Sequence, residues 1–332
     1  MPEESKADVV LEGGGVKGIA LVGALSVLMD AGYAFPRVAG TSAGAIVGAL
    51  VAAGMPAERM KSIMAQTDYR RFQDESWLDA LPGGKIISIL KDAGIYEGEY
   101  LRTWLAETLG DVQTFGDLAL PEDATSSLPP DQRYRLVVNV SDVSLGQLVR
   151  FPWDYQRFYG LAPSEQRIAD AVRASMSIPF FFEPATLEYE RTESGAPKKV
   201  RSTLVDGGML SNFPVDIFDR TDGQAPRWPT FGIKLSSKPD AIAARFPDDV
   251  GGPIDLTKAM ITTMTSFRDA MHINRAEVIA RTIFVDTLGV GATDFDIDQA
   301  TQDALFQSGV SAAQKFLGEW SFDAYVREFR TP

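Results

Sequence analysis

A run of three glycines near the amino terminus limits what this chain can fold into. The apolar segment 8–11, typical of a buried strand, leads into Gly13, Gly14 and Gly15, and an amphipathic helix is predicted from about Val16 to Ala31. Gly32 is predicted to cap the end of that helix. A strand that passes through glycines directly into a helix indicates an α/β fold.

A serine occupies a second strand-to-helix turn. The short strand predicted at 37–39 leads into Gly40-Thr-Ser42-Ala-Gly44, and a helix of small residues is predicted to follow to Ala53. Gly40 and Gly44 lack the Cβ atoms that would collide where strand and helix approach closely. This is the setting of a nucleophile elbow, which exposes the Ser42 hydroxyl at the amino end of a helix. The alternative is a close crossing that happens to contain a serine.

The glycine run itself has two interpretations. Consecutive glycines can turn their backbone N–H groups to one side and form the anion-binding concavity that an oxyanion hole requires. The spacing Gly13-x-Gly15-x-x-Gly18 also matches a dinucleotide-binding fingerprint, but the acidic residue expected at the end of the next strand is absent. A phosphate-binding P-loop fits worse, because Lys17 is followed by glycine rather than by Ser or Thr.

Three motifs in order carry a family resemblance. Gly-Gly-Gly-x-Lys-Gly at 13–18, Gly-Thr-Ser-Ala-Gly at 40–44 and Asp-Gly-Gly at 206–208 resemble the patatin-like phospholipases, relatives of the catalytic domain of a cytosolic phospholipase. The likeness continues through 174–179 and 205–214, and it spans about two thirds of the chain. A chance occurrence of all these motifs in this order is improbable.

The resemblance implies a catalytic dyad. It assigns Ser42 as the nucleophile, Asp206 as the base, and the loop of Gly13, Gly14 and Gly15 as the oxyanion hole. The residues that it places in support are Gly40, Gly44, Lys17, Gly207 and Gly208. The family usually has Arg where this chain has Lys17, and Lys lacks the planar fork of a guanidinium group.

A count of histidines agrees with a dyad. His272 is the single histidine among the 332 residues. The order Ser42, Asp206, His272 fits an α/β-hydrolase triad, but His272 falls within a long predicted helix, whereas a triad histidine usually lies on a loop. Asp206 is therefore the better candidate base, although Asp-Gly-Gly after an apolar run also fits an ordinary turn.

The proposed base, Asp206, is weak and needs help from the groups around it. A carboxylate is a far weaker base than a serine alkoxide, so the proton must move as the serine attacks. We expect partial burial to raise the proton affinity of Asp206 while backbone N–H groups stabilise the oxyanion. Acyl-Ser42 would form, and Asp206 would then activate water to release the fatty acid.

Composition excludes several functional classes. The net charge of −13 argues against a nucleic-acid partner. The absence of cysteine excludes disulfides and thiolate metal sites. No run approaches transmembrane length, and the polar start does not resemble a signal peptide. We therefore expect a cytoplasmic enzyme with no cofactor or metal, acting peripherally on lipid at a membrane or micelle surface.

The remaining elements are assigned from periodicity. Helices are predicted near 56–66, 97–109, 164–174 with Ser164 as cap, 254–280 and 299–317, and strands near 135–140, 148–151, 230–235 and 282–286. The aromatic segment 151–159 could line an acyl channel or pack on the core, and 86–90 could belong to a substrate cap or to a buried helix. Asp294-x-Asp296-x-Asp298 fits helix capping better than calcium binding, because the glycine and final acidic residue of a calcium loop are missing.

The sequence thus predicts one domain over residues 1–332, with a motif core at 8–235 that the segment 236–332 completes. Its fold class is a patatin-like three-layer α/β sandwich, with a mostly parallel central sheet flanked by helices. The predicted function is hydrolysis of carboxylic esters in phospholipids, lysophospholipids or neutral lipids. The alternatives are acyl transfer by the same dyad, or a protein that senses nucleotide or lipid with the glycine loop and has no turnover.

Overall fold

The computed structural model describes residues 5–66, 97–121, 128–179, 182–193, 196–236, 263, 273–292, 294 and 296–330. The strands in these residues are β1 (Ser5–Lys6), β2 (Asp8–Leu11), β3 (Tyr33–Ala34), β4 (Val38–Thr41), β5 (Leu136–Asp142), β6 (Gln147–Phe151), β7 (Ala185–Glu193), β8 (Ala196–Asp206), β9 (Thr230–Lys234) and β10 (Thr282–Phe284). The α-helices are α1 (Gly18–Asp30), α2 (Ala43–Ala52), α3 (Ala57–Gln66), α4 (Glu97–Leu109), α5 (Ile168–Ser175), α6 (Ala276–Ile279), α7 (Gln299–Glu319) and α8 (Phe322–Phe329).

The central sheet is mixed rather than purely parallel. Its strand order is β10-β9-β2-β4-β5-β8-β7, and β6 pairs with β5 off this path. The neighbours from β10 to β5 are parallel, whereas β6, β7 and β8 are antiparallel to their partners. The α/β fold class predicted from the sequence is confirmed, with the long β7–β8 hairpin as the antiparallel addition.

Both faces of the parallel strands are buried. In β2, Val9 and Leu11 face the larger core, which includes α1 and α2, while Val10 faces a smaller core that contains Val278 of α6. Because successive strand residues point to opposite faces, a strand covered on both sides must be apolar throughout. This explains the uninterrupted apolar run that was read from the sequence.

The last long helix packs against the first. A Cβ atom on Gly23 of α1 would lie 2.1 Å from the carbonyl oxygen of Phe306, and one on Gly309 of α7 would lie 2.0 Å from that of Ala20. Only glycine allows the two backbones to approach this closely. Helix α7 therefore covers the helix that follows the glycine loop.

Several predicted elements agree with the structure, and two need correction. Helix α4 has the predicted bounds, and Asp298 caps α7 by accepting a hydrogen bond from Thr301 N–H at 2.8 Å. The prediction that Ser164 caps a helix is wrong, because Pro163–Glu165 forms a 3-10 turn and α5 begins only at Ile168. Helix α1 begins at Gly18, later than predicted, because the preceding residues also form a 3-10 turn. Helix α8 was not predicted.

The aromatic segment packs on the core. Phe151 and Tyr155 are buried and stack with their ring centroids 3.9 Å apart, and Tyr159 is buried beside them. The segment 86–90, His272 and most of the helix predicted at 254–280 lie outside the described residues. Within the described ranges, no helix combines the length and apolar character needed to cross a bilayer.

Candidate active site

Ser42 lies at a sharp turn between β4 and α2. Its backbone has φ 53° and ψ −126°, a conformation that a residue with a side chain adopts at a cost of about 1–3 kcal/mol. A Cβ atom on Gly40 would lie 2.1 Å from the carbonyl oxygen of Gly44, and one on Gly44 would lie 2.4 Å from that of Leu11. The two glycines thus permit the close approach that the sequence motif predicted.

Asp206 ends β8, two strands away from Ser42. In the sheet register, Thr41 of β4 pairs with Asn139 of β5, and Val140 of β5 pairs with Asp206. Because strands are spaced by about 4.8 Å, the two main chains are roughly 10 Å apart, a gap that two side chains pointing toward each other can close. The structure therefore brings the hydroxyl and the carboxyl to one edge of the sheet from positions 164 residues apart in sequence, 42 and 206.

The carboxyl group of Asp206 is buried and has only neutral donors around it. The residue is 6% exposed, and its Oδ1 accepts a hydrogen bond from Gly208 N–H at 2.6 Å. Burial raises the pKa of Asp206 to about 6, while the Ser42 hydroxyl and the Gly208 N–H oppose that rise. The pKa of this carboxyl therefore lies above the ordinary aspartate range.

The Ser42 hydroxyl contacts a thioether rather than the Asp206 carboxyl. Ser42 Oγ lies 3.4 Å from Met176 Sδ, while Asp206 Oδ2 is buried with no hydrogen-bond partner among the described residues. The Ser42 hydroxyl is also one of the two groups that lower the pKa of Asp206 against the effect of burial. A thioether is a weak acceptor, so little opposes a shift of the hydroxyl toward Asp206.

The end of α5 connects the two residues, a role that sequence reasoning missed. Ser175 Oγ accepts a hydrogen bond from Ser42 N–H at 2.9 Å and donates to the carbonyl oxygen of Asn139 at 2.7 Å. Two residues later, the Ser177 carbonyl accepts from Asp206 N–H at 2.8 Å. The segment was noticed only for its family likeness. The available signal was the pair of serines, Ser175 and Ser177, at the carboxyl end of an amphipathic helix.

The glycine loop passes beside the nucleophile. A Cβ atom on Gly13 would lie 3.1 Å from Ser42 Cβ. Gly13 N–H donates to the Asn212 carbonyl at 3.3 Å, and the Gly13 carbonyl accepts from Asn212 Nδ2 at 3.1 Å. The N–H groups of Gly14 and Gly15 have no hydrogen-bond partner within the described part of the chain. Two of the three predicted donors are therefore not used in hydrogen bonds within the described residues.

A buried ion pair supports this loop from behind. The Glu12 carboxylate pairs with Lys234 Nζ and accepts a hydrogen bond from Leu235 N–H at 2.5 Å. Lys17 is half-buried, and burial lowers its pKa. The nearby Lys234 lowers this pKa further, whereas the carboxylates of Glu12 and Asp294 raise it. Sequence reasoning missed Glu12 and Lys234, although a carboxylate at the end of an apolar strand was a visible signal.

The Asp-Gly-Gly turn is equally compact. A Cβ atom on Gly207 would lie 2.2 Å from the carbonyl oxygen of Asn139, and one on Gly208 would lie 2.8 Å from Asp206 Oδ1. Both glycines let the turn pack closely against the carboxyl.

No group of three or more His, Cys, Asp or Glu side chains in the described residues is placed to hold a metal ion. Two cavities of about 430 and 370 Å³ lie elsewhere, and neither is lined by Ser42 or Asp206.

Comparison with known proteins gives consistent results. Residues 9–219 match the sequence model described as patatin-like phospholipase. The uncharacterized protein YqhO of Bacillus subtilis (strain 168) is 35% identical over 320 residues, which cover 95% of this chain and 99% of YqhO. The crystal structure of VipD from Legionella pneumophila resembles this chain with a TM-score of 0.52 at 19% identity, over 96% of this chain and 67% of VipD. At that identity, the likeness to VipD concerns the fold alone.

Proposed function

Because this chain belongs to the patatin-like phospholipase family, which implies lipid hydrolase activity, we propose that it cleaves acyl esters through Ser42 and Asp206. The substrates would be phospholipids, lysophospholipids or neutral lipids. One observation carries the proposal: a buried carboxyl with a raised pKa and an unpartnered oxygen lies at the same edge of the sheet as a serine held in a strained turn. Perturbed carboxyl groups of this kind are typical of general bases.

In the first half of the reaction, Ser42 Oγ attacks the ester carbonyl carbon. As the new C–O bond forms, the hydroxyl proton passes to Asp206 Oδ2, and the N–H groups of Gly14 and Gly15 stabilise the negative charge on the carbonyl oxygen. The amino end of α2 contributes its dipole to the same charge. The ester C–O bond then breaks, and the proton on Asp206 passes to the departing alcohol.

In the second half, water releases the fatty acid from acyl-Ser42. Asp206 Oδ2 takes a proton from the attacking water, and the same N–H groups stabilise the second tetrahedral intermediate. The Ser42–acyl bond breaks and the proton returns to Ser42 Oγ. A carboxyl with a pKa of about 6 is suited to this exchange, because it is ionised at neutral pH yet binds a proton more readily than an exposed Asp.

The glycine loop fits this role better than dinucleotide binding. Both polar backbone groups of Gly13 are already bonded to Asn212, and the loop lies against Ser42. A dinucleotide fingerprint needs its backbone free to approach a pyrophosphate. These contacts favour a role of the loop in the serine site.

The direct test is Ser42→Ala, assayed with a chromogenic acyl ester and with phosphatidylcholine vesicles. We expect a loss of turnover of about 10⁴-fold or more, because no other nucleophile replaces the hydroxyl. Ser26→Ala is the matched control, since Ser26 is a buried serine whose hydroxyl bonds only within α1, to the Gly23 carbonyl. Equal turnover in the Ser42 variant and the parent would refute the proposal.

A further inference from the structure

The larger of the two cavities described above lies at the amino ends of the parallel strands, at the opposite edge of the sheet from Ser42. It has a volume of about 430 Å³ and reaches Asp8 at the start of β2 and Thr230 at the start of β9. We call it the basal pocket and define it by the cations that line it: Lys6, Arg37, Arg220, Arg227, Arg281 and Arg330. With a rise of about 3.3 Å per residue, the four-residue strand β2 separates it from the glycine loop by roughly 13 Å.

The charge of the basal pocket is opposite to that of the molecule. Six cationic side chains line it against three carboxylates, Asp8, Asp219 and Asp222, whereas the whole chain has a net charge of −13. A local excess of one sign in a concave site concentrates ligands of the other sign. The pocket is therefore an attractive site for anions on a protein that otherwise repels them.

The three carboxylates are already used by cations of the pocket. Asp8 pairs with Arg37, and Asp222 pairs with Arg220. Asp219 is shared: its two oxygens accept from Arg281 Nη1 at 2.5 Å and Nη2 at 2.7 Å, and Oδ2 also accepts from Arg330 at 2.7 Å. The six cations of the lining therefore outnumber its three carboxylates, which already contact four of the cations, Arg37, Arg220, Arg281 and Arg330.

The cations are held in place before any ligand arrives. Arg37 lies 4.5 Å from the ring centre of Phe218, and Lys6 Nζ lies 5.7 Å from that of Trp228. Arg281 is 3% exposed, and its Nε has no hydrogen-bond partner among the described residues. Cations fixed by aromatic rings and ion pairs lose little entropy when an anion binds.

We propose that the basal pocket binds a small polyanion that carries two or three phosphate groups, either free in solution or on a lipid headgroup. Guanidinium groups match phosphate oxygens in pairs, and five of the six cations are arginines. The volume lies within the range of small-molecule sites and exceeds what a single inorganic phosphate fills. About three negative charges would neutralise the site.

The test is titration calorimetry with sodium tripolyphosphate on the full chain. We expect saturable binding at one site in the parent, and binding at least about tenfold weaker in the double variant Lys6→Ala/Arg227→Ala, because a hydrogen bond to a charged group is worth about 1.5–3 kcal/mol. Both side chains are exposed, so the variant should fold, which thermal unfolding without ligand verifies. Arg227→Lys in place of Arg227→Ala should restore part of the affinity.

The matched control removes the same charge elsewhere. Lys198→Ala/Lys199→Ala alters two exposed cations on the β7–β8 hairpin and should leave the affinity within about twofold of the parent. Equal binding by the parent and both double variants, or displacement of tripolyphosphate by sulfate at equal ionic strength, would overturn the proposal.

A second arm distinguishes the two sources of phosphate. Flotation with phosphatidylcholine vesicles that contain a bisphosphorylated inositol lipid is compared with vesicles of equal charge that contain phosphatidylserine. Binding of tripolyphosphate supports a soluble ligand, and selective flotation that the Lys6/Arg227 variant loses supports a headgroup. Failure of both arms refutes the site. Because neither readout uses turnover, failure here leaves the Ser42 proposal untouched.

Discussion

Two buried aspartates lie at opposite ends of the sheet and have contrasting surroundings. Asp8, at the amino end of β2, pairs with Arg37, whereas Asp206, at the end of β8, is bonded only by neutral groups. Burial is the largest cause of a raised pKa at both, but the Arg37 cation opposes it at Asp8, and only Gly208 N–H and the Ser42 hydroxyl oppose it at Asp206. One carboxylate is held by a cation, and the other remains free to accept a proton.

The contrast separates a carboxylate in an ion pair from the proposed general base. At Asp8 the guanidinium group opposes the effect of burial on the pKa, and the two paired charges compensate each other. A buried carboxylate without a cation is costly when charged, and that cost is what gives it affinity for a proton. The same substitution, Asp to Asn, should therefore have opposite effects at the two ends.

The largest effect is expected from Asp206→Asn. An amide cannot accept the Ser42 proton, so turnover on a chromogenic ester should fall by about 10³–10⁴-fold. Stability should rise, because the folded-state pKa of about 6 exceeds the ordinary aspartate value of 3.8 and an Asn does not ionise. The stability from this group is present below about pH 4 and lost as the pH rises through about 6, so the gain should reach at most about 3 kcal/mol at neutral pH.

The predicted change in stability is checked by urea unfolding of the parent and the Asp206→Asn variant at about pH 4 and at neutral pH. The two proteins should be equally stable in acid and diverge as the pH rises. If the Asp206→Asn variant keeps its turnover, Asp206 is not the base. If the variant is less stable than the parent at neutral pH, the explanation of the raised pKa of Asp206 by burial is wrong.

The next largest effect is expected from Asp8→Asn. Loss of the carboxylate leaves Arg37, which is only 13% exposed, as an uncompensated charge. We expect a loss of about 3 kcal/mol in the free energy of unfolding, the low end for breaking a buried ion pair. Turnover per folded molecule should stay within about twofold of the parent, because the substitution lies at the far edge of the sheet. If Asp8→Asn instead raised the free energy of unfolding, the proposed difference between Asp8 and Asp206 would be wrong.

The smallest effect is in the pH dependence of the parent. Because Asp206 must be ionised to act, log(kcat/KM) should rise with pH, bend near pH 6 and level off above it. Below the bend, activity should change about tenfold per pH unit. His272→Ala should leave the midpoint unchanged. A midpoint that disappears in that variant would instead assign the titration to the histidine and restore the triad.

The sequence predicted the parts of the site that are contiguous in the chain. The elbow around Ser42 and the apolar strand of β2 follow from local spacing, because glycines and alternation act over a few residues. The bond from Ser42 N–H to Ser175 was not predictable, since it depends on where α5 ends in space. The Ser164 cap failed for a local reason: Pro163 starts a 3-10 turn before α5 can begin.

The basal pocket lay beyond sequence reasoning for the same physical cause. Its cations occur at positions 6, 37, 220, 227, 281 and 330, so no window of the sequence contains the cluster. Only the parallel register of β2, β4, β9 and β10, which aligns the starts of these strands, collects them. Charge patterns that arise from topology are invisible until the strand order is known.

The position of β9 between β2 and β10 has a consequence for how the molecule is made. When the first 220 residues have been synthesised, the nascent chain contains Ser42, Asp206 and the glycine loop. It still lacks β9, which pairs with β2, and α7, which covers α1. Until β9 is made, one edge of β2 is unpaired and Glu12, which precedes the glycine loop, lacks its Lys234 partner. The proposed Ser42 site would therefore be completed only after β9 and α7 have been synthesised, later than all of its own motifs.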